Sequence, residues 1–187
     1  MSGRAGRPRD AEADRKISEA VIELLSEEGY SATTIDAVAR RAQVSRPTIY
    51  RRYADRTALV HAVLARLVSE AEEELAPRAD PFDHVVDHLT ATIDMLTQTP
   101  VGRIFRVAIA QAPHDAELAA LMGAFGRQRR ERLVPAVEAA IAADVLRTQP
   151  DVEVMVDALI GAIYFRFLMT NRALNEDYAR ALLSTFA

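Results

Sequence analysis

The stretch TTIDAVARRAQVSRPTIYRRYADRTAL, residues 33–59, decides how the amino-terminal part of this chain folds. Its apolar spacing and its helix-start signals predict two short helices joined by a turn of about three or four residues. Thr33 to Asp36 fits a capping box for the first of these helices. Ser45 is a good N-cap for the second, and Pro47 lies in its first turn, where a missing N–H costs little. The segment therefore predicts a helix-turn-helix.

The same stretch is rich in arginine. Six arginines and one acidic residue lie between Arg40 and Arg56. Such charge supplies the attraction to phosphate that a helix needs to dock in the DNA major groove. An arginine there can also bind guanine O6 and N7 with two hydrogen bonds. These residues alone point to a DNA-contacting set on and around the second helix: Arg46, Thr48, Arg51 and Arg52. The alternative is a solvated helix surface with no ligand.

The bulk composition favours an all-helical, soluble protein. The chain has 187 residues, half of them hydrophobic, and no cysteine, which excludes disulfides and thiolate metal sites. The first residues, MSGRAGRPRDAEADRK, contain no apolar core like that of a signal peptide. The longest apolar run, Ala158 to Phe165, is too short to cross a bilayer. We expect a cytoplasmic location.

The net charge of −4 conceals an asymmetry along the chain. Residues 1–60 contain 11 basic and 9 acidic side chains, whereas residues 61–187 contain 12 basic and 18 acidic ones. This division indicates a basic contact surface on the amino-terminal part and a different role for the rest.

Helical periodicity continues through the remainder of the chain, and no segment alternates like a strand. A first helix is predicted from about Asp10 to Glu28, with Gly29 after it as a residue of positive φ. Its apolar residues recur at helical period and form one stripe: Ile17, Ala20, Val21, Leu24 and Leu25. A fourth helix is predicted from a cap at Asp55 to about Ala76. Further helical patterns cover 82–97, 101–111, 115–142, 151–171 and 175–186. The prediction is an all-α protein of about nine helices, with a flexible arm at 1–9, a DNA-binding domain at 10–60, a connecting fourth helix to about 76, and a helical body at 77–187.

Several residues at fixed spacing resemble the DNA-binding region of tetracycline-repressor (TetR) family regulators. They are Thr33-Thr34, Ala42-x-Val44-Ser45, Thr48-Ile49-Tyr50, Tyr53 and Arg56-x-x-Leu59. The resemblance implies a three-helix DNA-binding head on a helical ligand-binding body, a homodimer, and release of the operator when an effector binds. It also implies phosphate contacts from Ser45, Thr48, Tyr50, Tyr53 and Thr33 or Thr34.

Two positions differ from that family pattern. Gln43 stands where the turn often has glycine, so a residue with a side chain has to adopt positive φ at a cost of about 1 kcal/mol. Arg56 replaces a common lysine and preserves its charge, and we expect it to contact phosphate. The predicted contact set from the head is therefore Thr33, Thr34, Ser45, Arg46, Pro47, Thr48, Tyr50, Arg51, Arg52, Tyr53 and Arg56.

The arm adds Arg4 and Arg7 to this set. Its Gly6-Arg7-Pro8-Arg9 sequence is similar to the Arg-Gly-Arg-Pro core of minor-groove hooks, although Ala5 replaces the first arginine. An extended basic arm suits a narrow A·T groove, where the negative potential is concentrated. A merely solubilising tail is the equally weighted alternative.

His84 and His88 stand four residues apart on a predicted helix, a spacing that could place two imidazoles on one metal ion. The motifs of zinc peptidases and di-iron bundles are absent from the sequence. We therefore predict no metal or other cofactor, and a surface or pocket-lining role for both histidines.

The helix at 151–171 is apolar nearly all round, which predicts burial on more than one face. One face is expected to pack on its own body and another on a second copy, together with the last helix. The predicted dimer interface contains Met155, Ala158, Leu159, Ala162, Ile163, Arg166, Leu182 and Phe186. A central core helix of a monomer is the alternative.

An effector pocket is predicted in the body from its apolar and scattered polar residues. The candidates are Met95, Leu96, Ile104, Phe105, Ile109, Gln111, His114, Met122, Phe125, Tyr164 and Asn171. Their apolar bias favours an apolar or amphipathic small molecule.

Together these features predict a sequence-specific DNA-binding transcriptional regulator, a ligand-responsive repressor that binds an inverted-repeat operator as a homodimer. The rival interpretations are a helical enzyme and a protein-interaction module. The sequence offers no phosphate-binding glycine loop, cysteine nucleophile or metal-ligand set to support an enzyme.

Overall fold

A computed structural model of the chain describes residues 8–70, 75–148 and 151–187. Within these ranges the backbone forms nine α-helices and two short 3₁₀ helices and contains no strand, which confirms the all-α prediction. No helix in the described ranges is long and apolar enough to cross a membrane. The helices are α1 (Pro8–Glu27), α2 (Ile35–Ala42), α3 (Arg46–Tyr50), α4 (Arg56–Glu70), α5 (Pro81–Gln98), α6 (Pro100–Gln111), α7 (Ala116–Ala142), α8 (Val152–Met169) and α9 (Glu176–Leu183).

The helices belong to two compact units. Unit 1 contains the described residues within 1–69 together with 103–121, and unit 2 contains those within 70–102 and 122–187. We had assigned all of 77–187 to one body. The segment 103–121 instead clusters with the amino-terminal helices, a long-range association that no local sequence signal reports.

Unit 1 is organised around α1, which packs against α2, while α2 packs against α3. The predicted apolar stripe of α1 is buried, as are side chains at matching positions of the following helices. The largest fully buried side chains of unit 1 are Ile17, Leu25, Ile49, Leu59 and Leu118.

The start of α2 lies one residue later than the predicted capping box. Thr34, not Thr33, is the N-cap, and its hydroxyl accepts a hydrogen bond of 3.1 Å from the Ala37 N–H. Thr33 is fully buried, and its hydroxyl donates to the Gly29 carbonyl at 2.9 Å. The prediction for Thr33 was wrong because two adjacent threonines have equal capping ability, and only packing decides between them.

The turn between α2 and α3 has the predicted backbone conformation. Gln43 ends α2 with φ 56° and ψ 41°, in the left-handed region. The next N–H, from Val44, bonds to the Ala39 carbonyl at 3.0 Å and closes the end of the helix. Ser45 then caps α3 by accepting from the Thr48 N–H at 3.3 Å. Together these two hydrogen bonds and the left-handed Gln43 fix the direction in which α3 leaves the turn.

Arg56, at the start of α4, holds the loop that precedes α2. Its Nε donates to the Thr33 carbonyl at 2.9 Å, and its Nη2 donates to the Tyr30 carbonyl. The guanidinium carbon lies 4.2 Å from the centroid of the Tyr30 ring. The planar fork of arginine is needed for this geometry, because one ammonium group cannot reproduce both directed bonds and the stacking.

Unit 2 has α5 at its centre, packed against α8 and α9. Arg180 of α9 donates to Asp83 of α5 at 2.8 Å, and Arg130 of α7 forms ion pairs with Glu153 and Asp157 of α8. Gly102 permits a close approach within this unit: a Cβ there would lie 1.8 Å from the Leu96 carbonyl oxygen and 3.0 Å from Phe167.

Most helix boundaries lie within one to three residues of the predicted ones, and two of the differences concern the amino-terminal part. α1 begins at Pro8, two residues before the predicted start at Asp10. The prediction that the fourth helix reaches Ala76 was wrong, because Leu75 and Ala76 are not helical. Pro77 disfavours the helical conformation of the residue before it, which accounts for the break.

Replacing Gln43 with glycine tests the strain in the turn. We expect Gln43→Gly to raise the free energy of unfolding by about 0.5–1 kcal/mol, because glycine adopts positive φ without the steric cost. Ala37→Gly in α2 is the control and should lower the same quantity by about 1 kcal/mol. Chemical denaturation followed by circular dichroism measures both. A loss of stability in Gln43→Gly would contradict the strain argument.

Replacing Arg56 with lysine tests its role in holding the loop. We expect Arg56→Lys to lower the free energy of unfolding by about 1–2 kcal/mol, because the directed bonds to two carbonyls are lost while the charge remains. Arg51→Lys, at an exposed position, should change stability by less than about 0.5 kcal/mol. Equal effects of the two substitutions in the same denaturation assay would remove the structural role from Arg56.

Candidate DNA-binding surface

The short helix α3 presents one polar face to solvent. Among its five described residues, Ile49 is fully buried and fixes the helix to the core of unit 1. Arg46, Pro47 and Tyr50 are exposed, the tyrosine by 55%, and so is Arg51 at the end of the helix. An exposed aromatic ring flanked by arginines, on a helix anchored by one apolar side chain, suits contact with a polyanion.

Arg46 lies at the first position of α3 and forms an ion pair with Asp36 of α2. Both side chains are more than half exposed, at 61% and 51%. An ion pair this open to solvent contributes little free energy, so it is readily exchanged for a stronger partner. Arg46, the residue predicted to contact a base, is thus exposed at the start of α3 and held by a weak interaction.

Small hydroxyl groups surround the beginning of α3. The hydroxyls of Ser45 and Thr48 lie 2.8 Å apart, and each can serve as the donor. Ser45 is exposed and Thr48 half-buried, while Thr34 is exposed at the start of α2. These three hydroxyl side chains and the exposed face of α3 lie on the same helix-turn-helix element.

The structure gives Arg52 a different role from the predicted one. Its side chain is only 15% exposed, forms an ion pair with Asp14 of α1, and donates to the Thr48 carbonyl at 2.9 Å. These bonds attach the end of α3 to α1. Tyr53 is also half-buried, and burial raises the pKa of its phenol, with Asp14 acting in the same direction. Arg52 is therefore not retained as a DNA contact.

Thr33 and Arg56 leave the predicted contact set for similar reasons. Thr33 is inaccessible inside unit 1, and the guanidinium of Arg56 is bonded to the loop before α2. The remaining predicted contacts in the head are Thr34, Ser45, Arg46, Pro47, Thr48, Tyr50, Arg51 and Tyr53. The arm residues Arg4 and Arg7 lie outside the described residues.

Sequence reasoning missed the link between Tyr30 and Asp115. The Tyr30 hydroxyl donates to Asp115 Oδ2 at 2.7 Å, while Asp115 Oδ1 accepts from the N–H groups of Glu117 and Leu118 at the start of α7. The Leu118 N–H, first, and the Tyr30 hydroxyl lower the pKa of Asp115. Because 85 residues separate Tyr30 from Asp115 in sequence, no local pattern could have indicated the contact.

The predicted dimer interface needs correction. Met155, Leu159 and Ile163 are fully buried within their own protomer, so they cannot face a second copy. They belong to the inner face of α8. Ala158 is exposed, and Ala162, Leu182 and Phe186 are half-buried. Arg166 is half-buried, with its guanidinium carbon 3.9 Å from the centroid of the Tyr178 ring.

The opposite face of α8 is exposed and largely apolar. Successive turns place residues on this face at spacings of four, three, four and four, which form one line along a helix. Phe165 is 63% exposed and Met169 is 72% exposed, unusual values for such side chains. This outer face consists of Val154, Ala158, Gly161, Phe165 and Met169.

The pocket candidates fall into three groups. In unit 2, Met95, Leu96 and Phe125 are buried and Tyr164 is half-buried; in unit 1, Ile104 and Phe105 are buried. Gln111 and Met122 are half-buried. Ile109, His114 and Asn171, which were also predicted to line the pocket, are exposed.

His84 and His88 do come together, with ring centroids 4.9 Å apart in an edge-to-face arrangement. In the part of the chain that the structure describes, no three histidine, aspartate or glutamate side chains gather as a possible metal site. Both histidines are half-buried in unit 2, and burial, first, and then His84 lower the pKa of His88 to about 4.

Sequence comparison identifies related proteins for both parts of the chain. The family described as "Bacterial regulatory proteins, tetR family" matches residues 17–63, and "Tetracyclin repressor-like, C-terminal domain" matches residues 78–186. The HTH-type transcriptional regulator YdeS of Bacillus subtilis is 31% identical over 186 residues, covering 98% of this chain and 92% of its own.

Solved structures agree with this assignment. The TetR family transcription regulator SCO0332 has 28% sequence identity and a TM-score of 0.62, over 93% of this chain and 96% of its own. A regulator from Saccharomonospora viridis solved with choline has 19% identity and a TM-score of 0.75, over 94% and 95%, and shares the fold. With the helix-turn-helix geometry, these relationships show that the chain belongs to the TetR family of transcriptional regulators.

Proposed function

We propose that this chain is a ligand-responsive repressor that binds an inverted-repeat DNA operator as a homodimer. The observation that carries the proposal is the exposed polar face of α3, with Arg46 and Arg51 pointing to solvent while Ile49 anchors the helix. A recognition helix must combine these two properties, because it has to be rigidly supported and still reach the bases.

Within this proposal the contacts divide by chemistry. Arg46 reads a guanine in the major groove through its two-pronged guanidinium. Ser45, Thr48, Tyr50, Arg51 and the Thr34 hydroxyl bind phosphate and set the register of the helix on the duplex. Asp36 pairs with Arg46 in the absence of DNA, and the base replaces it as the partner of the guanidinium.

The outer face of α8 supports the homodimer. An apolar line that includes a 63% exposed phenylalanine is costly in water and is covered when two copies pair across a two-fold axis. Gly161 and Ala158 let two such helices approach closely. A two-fold dimer presents two copies of α3, which is why the operator is expected to be an inverted repeat with half-sites about 34–36 Å apart.

Effector control is assigned to unit 2. The buried residues Met95, Leu96 and Phe125 of unit 2 provide apolar walls for a small molecule. Two regulators of the same fold are described as bound to choline and as flavonoid-responsive. An effector that binds a DNA-incompetent arrangement of the dimer more tightly lowers the affinity for the operator. The size of this decrease is set by the difference in effector affinity between the two arrangements.

Replacing Arg46 tests the base contact. On duplexes selected from a random pool, we expect Arg46→Ala to cost about 1–3 kcal/mol of binding free energy and to relax specificity at one base pair, because a two-bond contact to a base is lost. Arg51→Ala should lower the affinity for all duplexes by a similar factor. The slope of affinity against salt concentration should decrease by the equivalent of about one phosphate contact. Fluorescence anisotropy at several salt concentrations measures both effects.

Arg127→Ala, at an exposed position on α7, is the control for loss of an arginine outside the head. It should leave operator affinity unchanged. If Arg46→Ala weakens selected and scrambled duplexes by the same factor, Arg46 is not a base contact. If the wild-type chain binds no duplex at low salt, the proposed function is wrong.

Replacing Gly161 tests the dimer surface. No atom of the protomer lies within 4 Å of a Cβ built on Gly161, so Gly161→Leu should fold normally. A leucine there obstructs close pairing of two α8 helices, and we expect dissociation to monomers with loss of operator affinity. Analytical ultracentrifugation provides the readout. Gly126→Leu on α7, where the same construction also finds open space, is the matched control and should stay dimeric. A dimeric Gly161→Leu would contradict the proposed interface.

A further inference from the structure

Three helices of unit 2 contribute buried or half-buried polar side chains that we consider together. α5 contributes His84 and His88, α7 contributes Arg129, and α8 contributes Tyr164. Arg129 is only 8% exposed, and the Tyr164 hydroxyl and His84 Nδ1 are inaccessible to solvent. Charged and polar groups are rarely placed this deep unless they have a specific role, because burying them is costly. We call these four residues the interior polar cluster.

Apolar and aromatic groups border this cluster. The Arg129 Nη2 lies 2.7 Å from the Met95 sulfur, and the guanidinium carbon lies 5.6 Å from the centroid of the Phe125 ring. A thioether is a weak hydrogen-bond acceptor and the aromatic ring attracts a cation through its face. The cluster therefore combines a charged donor with surroundings that suit a hydrocarbon group.

His88 responds both to burial and to the charged groups around it. Burial, first, and then the charges of His84, Arg129 and Arg132 lower its pKa to about 4, against the opposite effect of Asp87. Burial raises the pKa of Tyr164 to about 12, so its phenol stays protonated at neutral pH and remains a donor. Arg129 and Arg132 therefore place positive charge near His88, although residues 61–187 as a whole are acidic.

We propose that the interior polar cluster binds the carboxylate of an amphipathic organic acid, and that such an acid is the class of effector sensed by this regulator. Arg129 forms charge-assisted hydrogen bonds with the carboxylate, Tyr164 donates a further one, and Met95 and Phe125 contact the hydrocarbon part. The inference rests on the proposed ligand-responsive function and specifies its ligand.

The chemistry of the cluster distinguishes an anion from other ligands. A cationic ligand would be repelled by Arg129 and Arg132, and a neutral one would gain hydrogen bonds without the charge-assisted contribution. The alternative role for Arg129 is purely structural, as an anchor between α7 and its neighbours. A structural anchor predicts no dependence of ligand binding on the head group, so the two roles are separable by experiment.

The test compares three probes of equal chain length, octanoate, octanol and octylammonium, by isothermal titration calorimetry with the full chain at neutral pH. We expect octanoate to bind on the order of tenfold or more tightly than octanol, and octylammonium not to bind measurably. Arg129→Met should abolish the preference for octanoate, because it keeps most of the side-chain volume and removes the charge. Arg129→Lys should retain part of it.

Arg127→Met, two residues away on the exposed side of α7, is the matched control and should preserve the octanoate preference. The comparison of head groups uses the wild-type chain, so it decides the question even if Arg129→Met does not fold. Equal or weaker binding of octanoate relative to octanol, binding of neither, or a preference that survives in folded Arg129→Met would overturn the inference. Operator binding is measured on the same wild-type sample to separate the two proposals. If DNA binding is intact but octanoate is not preferred, only the ligand class is refuted. If the sample does not bind DNA, the proposed function is refuted.

Discussion

The position of α3 depends on a very small number of interactions. Among its five described residues only Ile49 is buried, and a helix of this length is not stable by itself. Its direction comes from the left-handed Gln43 and the Ser45 cap, and its far end is held by the bond from Arg52 to the Thr48 carbonyl and the ion pair with Asp14. These interactions hold α3 in place, so that its opposite face, the surface proposed to recognise DNA, remains exposed.

The arginines of this region show how tertiary partners divide one residue type between two roles. Arg52 and Arg56 are bonded to groups within unit 1. Arg41 donates to Glu23 and Glu27 of α1 and to Glu28, which follows this helix, at 2.9–3.2 Å. Arg46 and Arg51 remain at the surface. Arg41, Arg52 and Arg56 make unit 1 rigid. Arg46 and Arg51, the proposed DNA contacts, can then bind with little loss of conformational freedom.

In unit 2, residues of the same type likewise lie in two different environments. α8 places Met155, Leu159 and Ile163 in the core and leaves Phe165 and Met169 outside, so one helix provides both a core face and an unpaired face. In the interior, the buried Arg129 interrupts an otherwise apolar face of α7 that includes Phe125 and Leu133. Apolar surface outside and positive charge inside are the two features that a monomeric structural protein has least reason to maintain.

The sequence by itself determined what depends on neighbouring residues. The class of fold, the caps at Ser45 and Asp55, and the positive φ of Gln43 and Gly29 follow from spacing and side-chain chemistry, and the structure confirms them. The buried stripe of α1 was equally predictable because its apolar residues recur at helical period. The position of Arg129 on the same face as Phe125 and Leu133 gave a usable signal that we did not use.

Only the tertiary structure decided which of several equivalent residues does each job. Thr33 and Thr34 are both good caps, and packing selects Thr34. Arg52 meets Asp14 across 38 residues and Arg56 meets Thr33 across 23, so no local pattern separates them from the exposed Arg46 and Arg51. The sequence pattern did not show which face of α8 is buried either. A helix that is apolar on every side contains no signal for this, and only the packing of neighbouring helices decides it. Side-chain chemistry sets which helices form, whereas contacts between residues distant in sequence set which surfaces remain available for binding.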